Sequence, residues 1–179
     1  EQVIRPVYNA FQEQRVFASL VGKLRDQSPE RLLELGCGPG RALETLANAF
    51  PRTALTGVDL SPFMLERAAS RLEFEGARVK LIHATGLAVP MADESVDAIV
   101  ATHFFGHLPG EVAAAAWAET MRLLTPAGRL YLVDHAWHPH HQVPIALISE
   151  HRLLRGVLRF RVLQKLVSAP PVAQPPSAL

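Results

Sequence analysis

Cysteine is almost missing from this sequence: Cys37 is the only one in 179 residues. That excludes an intrachain disulfide and a zinc site built from several thiolates, and it fits a reducing compartment. Charge of one sign is lacking too. Eighteen Lys and Arg stand against 17 Asp and Glu, a net charge of +1. Such a balance argues against a strongly electrostatic nucleic-acid binder, though a local basic patch stays open. No apolar run is long enough to span a bilayer and no secretory pattern opens the chain, so a cytoplasmic location is expected. Internal repeats are absent. What is present is ordinary for one globular domain: 49% of residues are apolar and 20% charged, enough to bury a core at this length. Composition shifts once, at Ser168, where the chain turns to SAPPVAQPPSAL. This uncharged Pro/Ala-rich tail, 168–179, cannot bury enough apolar surface to offset its ordering entropy and is expected to be disordered. The domain is therefore expected over 1–167.

Within it, short apolar runs alternate with helical patterns. Residues 31–35 read as a buried strand, followed by glycines and a helix over 41–50 that Pro51 ends. Residues 53–59 read as a second strand. Ser61 and Pro62 supply a capping hydroxyl and a first-turn proline for a helix reaching about Phe74. Further strands are expected at 79–83, 96–101 and 129–134, with an alanine-rich helix over 111–124 stopped at the Pro126-Ala127-Gly128 turn. This alternation implies an α/β fold, a parallel sheet with helices on both faces, and ligand binding at the carboxyl ends of its strands.

Gly36, Gly38 and Gly40 follow the first strand in a G-x-G-x-G spacing and open the next helix. Glycine lets the chain turn sharply and lets a ligand approach without a Cβ in the way. The N–H groups at the helix start suit an electronegative group. Asp59 closes the second strand, 19 residues after Gly40, where a carboxylate accepts both hydroxyls of a ribose. The plainer role for Asp59 is to cap the helix beginning near Ser61, and the two are compatible.

Glu34-Leu-Gly-Cys-Gly-Pro-Gly40 resembles motif I of class I S-adenosylmethionine (SAM)-dependent methyltransferases, and Gly57-Val-Asp-Leu-Ser-Pro-Phe-Met-Leu65 resembles their second motif. Residues 87–100, LAVPMADESVDAIV, are similar to their LPFPDESFDAV segment, and 123–132 to their LKPGGRL turn into strand five. A NAD dehydrogenase would usually show G-x-G-x-x-G and lack the later motifs. The resemblance implies a Rossmann-like doubly wound sheet over 30–134 and SAM as cofactor. It implies that Glu34 and the backbone of Gly36, Cys37 and Gly38 hold the methionine amino end, with Gly40 completing the turn. Asp59 would hold the ribose and Leu60 the adenine. Thr85 and Gly86 stand where the family usually has Asp-Ala at the adenine edge, so weaker adenine contact is expected. Ala101 lies where family members make backbone contacts to the methionine end. Tyr8, in a helical lid expected over 1–28, is similar to a Tyr-Asp segment that covers the cofactor in small-molecule members; packing on the domain surface is its alternative.

For the chemistry, an activated donor leaves the protein mainly to orient the reactants and keep the site dry. A base helps when the acceptor is a hydroxyl or protonated amine, and His103, His107 and His135 are the candidates at the strand ends. Each has a plain alternative as a rim histidine. His135, His138, His140 and His141 crowd one segment, but Pro139 breaks helical register there, so no metal is expected. Cys37 reads as a small buried residue of the motif.

Residues 143–167 mix apolar residues with Arg152, Arg155, Arg159, Arg161 and Lys165. A last helix with a solvated face is the first expectation. A helix lying on a membrane through 152–165 and a strand over 157–163 are the alternatives. The two closing strands usual in the family are not evident, so the C-terminal hairpin is expected to be short or missing. The function expected is methyl transfer from SAM to a small-molecule or lipid-like acceptor. A non-catalytic SAM-binding protein is the alternative. A nucleic-acid methyltransferase is disfavoured, because His103-Phe-Phe-Gly106 replaces an N/D-P-P-Y/F sequence.

Overall fold

A computed structural model describes the backbone over 4–134, 145–153 and 158–166, with side chains from residue 13 onward. The elements run α1 (Ile4–Arg25), β1 (Arg31–Leu35), α2 (Arg41–Ala49), β2 (Ala54–Asp59), α3 (Pro62–Arg71), β3 (Val79–His83), β4 (Val96–Thr102), α4 (Gly110–Leu123), β5 (Leu124–Asp134), β6 (Ile145–Leu153) and β7 (Leu158–Lys165). Short 3-10 turns span Glu73–Arg78 and Phe105–His107. The strands form one seven-stranded sheet in the order β3-β2-β1-β4-β5-β7-β6. The first five are parallel, whereas β7 runs antiparallel between β5 and β6.

The central strands are continuously apolar because both faces are covered. Leu32, Val100, Tyr131 and Phe160 point to one face, where they meet Leu20 and Leu24 of α1, Leu43 and Leu46 of α2, and Ala68 of α3. Leu33, Ile99, Leu130 and Leu132 point to the other, against Trp117, Met121 and Leu123 of α4. The expected doubly wound architecture is therefore present. Local signals acted as read: Ser61 Oγ accepts the Met64 N–H at 3.4 Å and Pro62 occupies the first turn of α3.

Two expectations are corrected. The C-terminal hairpin is neither short nor missing: β6 and β7 pair from Ile145↔Lys165 to Leu153↔Leu158 and complete the sheet. Arg152 and Leu153 close one strand and Leu158–Lys165 form the next, so the described part of 152–165 is not a helix and the expected amphipathic membrane helix is not formed there; the strand alternative is realised from Leu158 onward. Leu158, Phe160 and Val162 bury on the α1 face while Arg159, Arg161 and Leu163 turn to the α4 face. A smaller difference lies at Pro126–Gly128, where the pairing with β4 shifts register inside a β5 that already begins at Leu124.

The chain runs outward from β1 through β2 to β3, then returns to β4 on the other side of β1. The loops that follow β1 and β4 therefore diverge at one crevice on the carboxyl edge, where ligands of such sheets bind.

Candidate functional site

The crevice is walled first by the glycine loop. Gly36 (φ 68°) and Gly40 (φ 77°) take left-handed backbone that a Cβ disfavours, which is why the strand-to-helix turn is so tight. Cys37 N–H donates to the Val58 carbonyl at 2.9 Å, stitching the loop to β2. Its thiol is buried and pushed strongly upward by desolvation, so it stays protonated and packs as an apolar group.

Glu34, the penultimate residue of β1, has 1% of its surface exposed. Oε1 accepts a hydrogen bond from Thr102 Oγ at 3.4 Å. Oε2 is buried with no hydrogen-bond partner among the described residues. Desolvation pushes its carboxyl up to about 8, so without a ligand it is mostly protonated at neutral pH. A cationic group placed beside Oε2 would both satisfy it and restore its charge. By that observation the site fits the amino end of a cofactor such as SAM.

Asp59 performs the plain role and more. Oδ1 accepts the Ser61 N–H and Oδ2 the Gly38 N–H, each at 2.8 Å. The carboxylate thus ties the glycine loop to the start of α3. Each oxygen keeps a further lone-pair site for a hydroxyl. Leu60 beside it is exposed at 69%, an apolar rim residue for a planar ligand face. No motif signals the support below it: His83 Nε2 lies 2.9 Å from the Leu60 carbonyl oxygen and holds that backbone.

The fourth wall comes from the loop after β4. Ala101 is fully buried at the strand end, and His103 adopts φ 54°, uncommon for a residue with a Cβ. The side chain that enters the crevice is Phe104, which was not among the expected site residues. A Cβ on Gly36 would lie 2.9 Å from its Cδ2, and one on Gly86 only 2.4 Å from its Cζ. Gly86 is therefore the space that Phe104 fills, and this explains the missing alanine after Thr85. Thr85 is half-buried and its Oγ accepts the Leu87 N–H at 3.3 Å, a local turn contact. Beyond Phe104, Phe105 stacks on Trp117 with ring centroids 4.5 Å apart. The Gly106 N–H donates to buried Asp134 Oδ2 at 2.6 Å, which anchors the loop to the end of β5.

A protein-family model for a methyltransferase domain matches residues 32–128, more than half of the chain. The chain belongs to the class I SAM-dependent methyltransferases. A methyltransferase of ubiquinone/menaquinone biosynthesis from Desulfotalea psychrophila is 33% identical over 125 residues, covering 69% of this chain and 48% of that protein. A trans-aconitate 2-methyltransferase of Methylobacterium radiotolerans is 31% identical over 155 residues, covering 84% of this chain and 53% of that one. The chain thus spans about half the length of these relatives. The 1,6-didemethyltoxoflavin-N1-methyltransferase of Burkholderia thailandensis, solved with S-adenosylhomocysteine bound, shares the fold. Its TM-score is 0.72 at 17% identity, over 93% of this chain and 84% of that one.

In this chain Glu34, Gly36, Cys37, Gly38, Gly40, Asp59, Leu60, Thr85, Gly86 and Ala101 all lie at or just past the carboxyl ends of β1, β2, β3 and β4, on one edge of the sheet. His103 and His107 are exposed on the adjoining loop. His135 and the neighbouring His138, His140 and His141 lie outside the described residues. Tyr8 lies in α1, but its side chain also falls outside them. Among the described residues no helix is long and apolar enough to cross a membrane.

Proposed function

We propose that the crevice binds SAM and that the chain transfers its methyl group to a small-molecule acceptor. The observation that carries this reading is Glu34: a buried carboxyl with one unsatisfied oxygen beside a glycine loop, at the switch point of a methyltransferase sheet. Glu34 and the loop N–H groups would receive the methionine end, Asp59 the ribose hydroxyls, and Leu60 the adenine face. SAM supplies a methyl group already activated on sulfur. The protein's share is then alignment in a water-poor cleft, with Phe104 as its wall and, for a protonated acceptor, His103 or His107 as proton acceptor. The first half of α1, with Tyr8, is the proposed lid. The second half is a core element, since Val16, Leu20 and Leu24 are buried.

Calorimetric titration with SAM and S-adenosylhomocysteine tests the cofactor site. Asp59→Ala alone is a poor probe because Asp59 also holds two backbone N–H groups. Glu34→Gln keeps the shape, and we expect it to weaken binding about tenfold through loss of a charge-assisted contact. Absence of binding by folded native protein overturns the reading. Turnover with small acceptors then separates an enzyme from a silent binder. His103→Ala should lower kcat while leaving SAM affinity within about threefold.

A further inference from the structure

One side of the crevice carries a concentration of guanidinium groups that cofactor binding does not use. On the α4 face of the terminal hairpin, Arg161 pairs in register with Glu150, and Arg159 with Arg152. Arg159 is also the register partner of Asp134, the last residue of β5. Glu150 serves both neighbours: Oε1 takes Arg159 Nη1 at 2.8 Å and Oε2 takes Arg161 Nε at 2.6 Å. Arg161 is 5% exposed, whereas Arg152 is open to solvent. Two arginines directly opposite each other on neighbouring strands repel and cost stability. Two carboxylates, Glu150 and Asp134, stand against the guanidinium groups of Arg152, Arg159 and Arg161, which leaves the patch with one excess positive charge.

Its position gives that excess a use. Arg152 and Arg159 lie at the carboxyl end of β5, the edge where the cofactor crevice opens. Asp134 links this end to Gly106, in the same loop whose Phe104 packs on Gly36. The patch is thus one short loop away from the proposed methyl donor. Guanidinium is suited to planar anions, which it grips with two parallel hydrogen bonds.

Resting on the methyltransferase reading above, we propose that the methyl acceptor carries a carboxylate that docks on Arg152 and Arg159, with Arg161 and Glu150 holding Arg159 in place. The docked carboxylate fixes the acceptor's orientation, and the atom that takes the methyl group lies elsewhere on the molecule. The relative that shares 31% identity is named for trans-aconitate, a carboxylic acid, which is consistent with an acceptor of this class.

The test uses the full chain, free and loaded with S-adenosylhomocysteine. Trans-aconitate, citrate and malonate are titrated by calorimetry and thermal shift, against sodium chloride of equal ionic strength and the trimethyl ester of trans-aconitate. We expect at least one acid to bind and raise Tm beyond the chloride control, with the ester inert. Arg159→Gln and Arg152→Gln should each weaken that acid about tenfold or more with S-adenosylhomocysteine affinity unchanged. Arg152→Gln should also leave Tm equal or higher without the acid, because it removes like-charge repulsion; a purely structural arginine would lower it. No acid exceeding chloride, an ester that binds as well as its acid, or an Arg152→Gln that loses Tm and keeps acid affinity overturns the proposal. Failure of S-adenosylhomocysteine to bind overturns the methyltransferase reading instead, and the acid titration of the free protein still judges the arginines.

Discussion

A single ring decides the shape of the cofactor crevice. Phe104 leaves no room for a side-chain carbon on Gly86, 2.4 Å from where that carbon would sit. We expect Gly86→Ala to cost about 1–3 kcal/mol by overpacking and to weaken SAM binding. The double variant Gly86→Ala with Phe104→Ala should recover most of the stability lost to the clash, so the two changes are non-additive in a double-mutant cycle read by denaturant unfolding. Additive losses would place the ring elsewhere. The glycine loop, Glu34 and Asp59 were legible in the sequence because their roles depend on local spacing: a turn after a strand and an acid at the end of the next. Phe104 was not, because its meaning depends on a contact between loops 18 residues apart, Gly86 and Phe104. The departure at Thr85-Gly86 was visible, but only as an absence, until the ring that fills it was seen. Asp134 stayed hidden for the same reason, since its partner Gly106 lies on another strand's loop.

Elements are held in place by a few polar clamps, and among the described residues Arg122 near the end of α4 makes the most side-chain hydrogen bonds. Its guanidinium binds Glu119 and Asp93 side chains and the carbonyls of Val89 and Met91, all within 3.0 Å. Glu119 also accepts the Val89 N–H at 2.6 Å. The segment from Val89 to Asp93, which follows the proposed adenine edge at Thr85 and Gly86, is thereby bolted to α4. Arg122→Met should cost about 2 kcal/mol and speed amide hydrogen exchange in 87–93 more than in β1 or β2. Uniform exchange across the domain would show that the segment is held by other contacts. At this scale the strands and helices up to β5 were readable from periodicity, because each is apolar on a consistent face. The terminal hairpin was not. Arg152, Arg155 and Arg159 fall at helical spacing by coincidence, a bulge between Leu147 and Ser149 breaks the alternation in β6, and Arg161 occupies a buried position that its ion pair with Glu150 makes tolerable.

For the molecule as a whole, the proton on Glu34 links stability, pH and ligand. Its carboxyl is pushed up to about 8 in the fold, from an ordinary 4.5. The folded state therefore keeps a proton that the unfolded chain releases, and this contribution to stability is complete below about 4.5. It is lost as pH rises toward 8 and is constant above it. The ligand-free protein should lose Tm over that window, and Glu34→Gln should flatten the loss. A cationic ligand end that restores the carboxylate should expel close to one proton per site at pH 7, by the same linkage. Calorimetry in two buffers of different ionisation heat counts it; equal apparent enthalpies would mean that Glu34 does not change charge.

The order of the sheet has a bearing on how the chain is made. The seventh described strand, β7, is not at the margin but between β5 and β6. A ribosome delivers it after everything it must join. Until Leu158–Lys165 emerges, the β5 side of the sheet keeps an open row of backbone hydrogen-bonding groups flanked by Leu130 and Leu132, a template for any passing strand. The nascent protein is therefore most vulnerable to aggregation in the interval between the emergence of β5 and that of β7, and closing the hairpin is the event that both completes the sheet and sets the arginines beside the crevice.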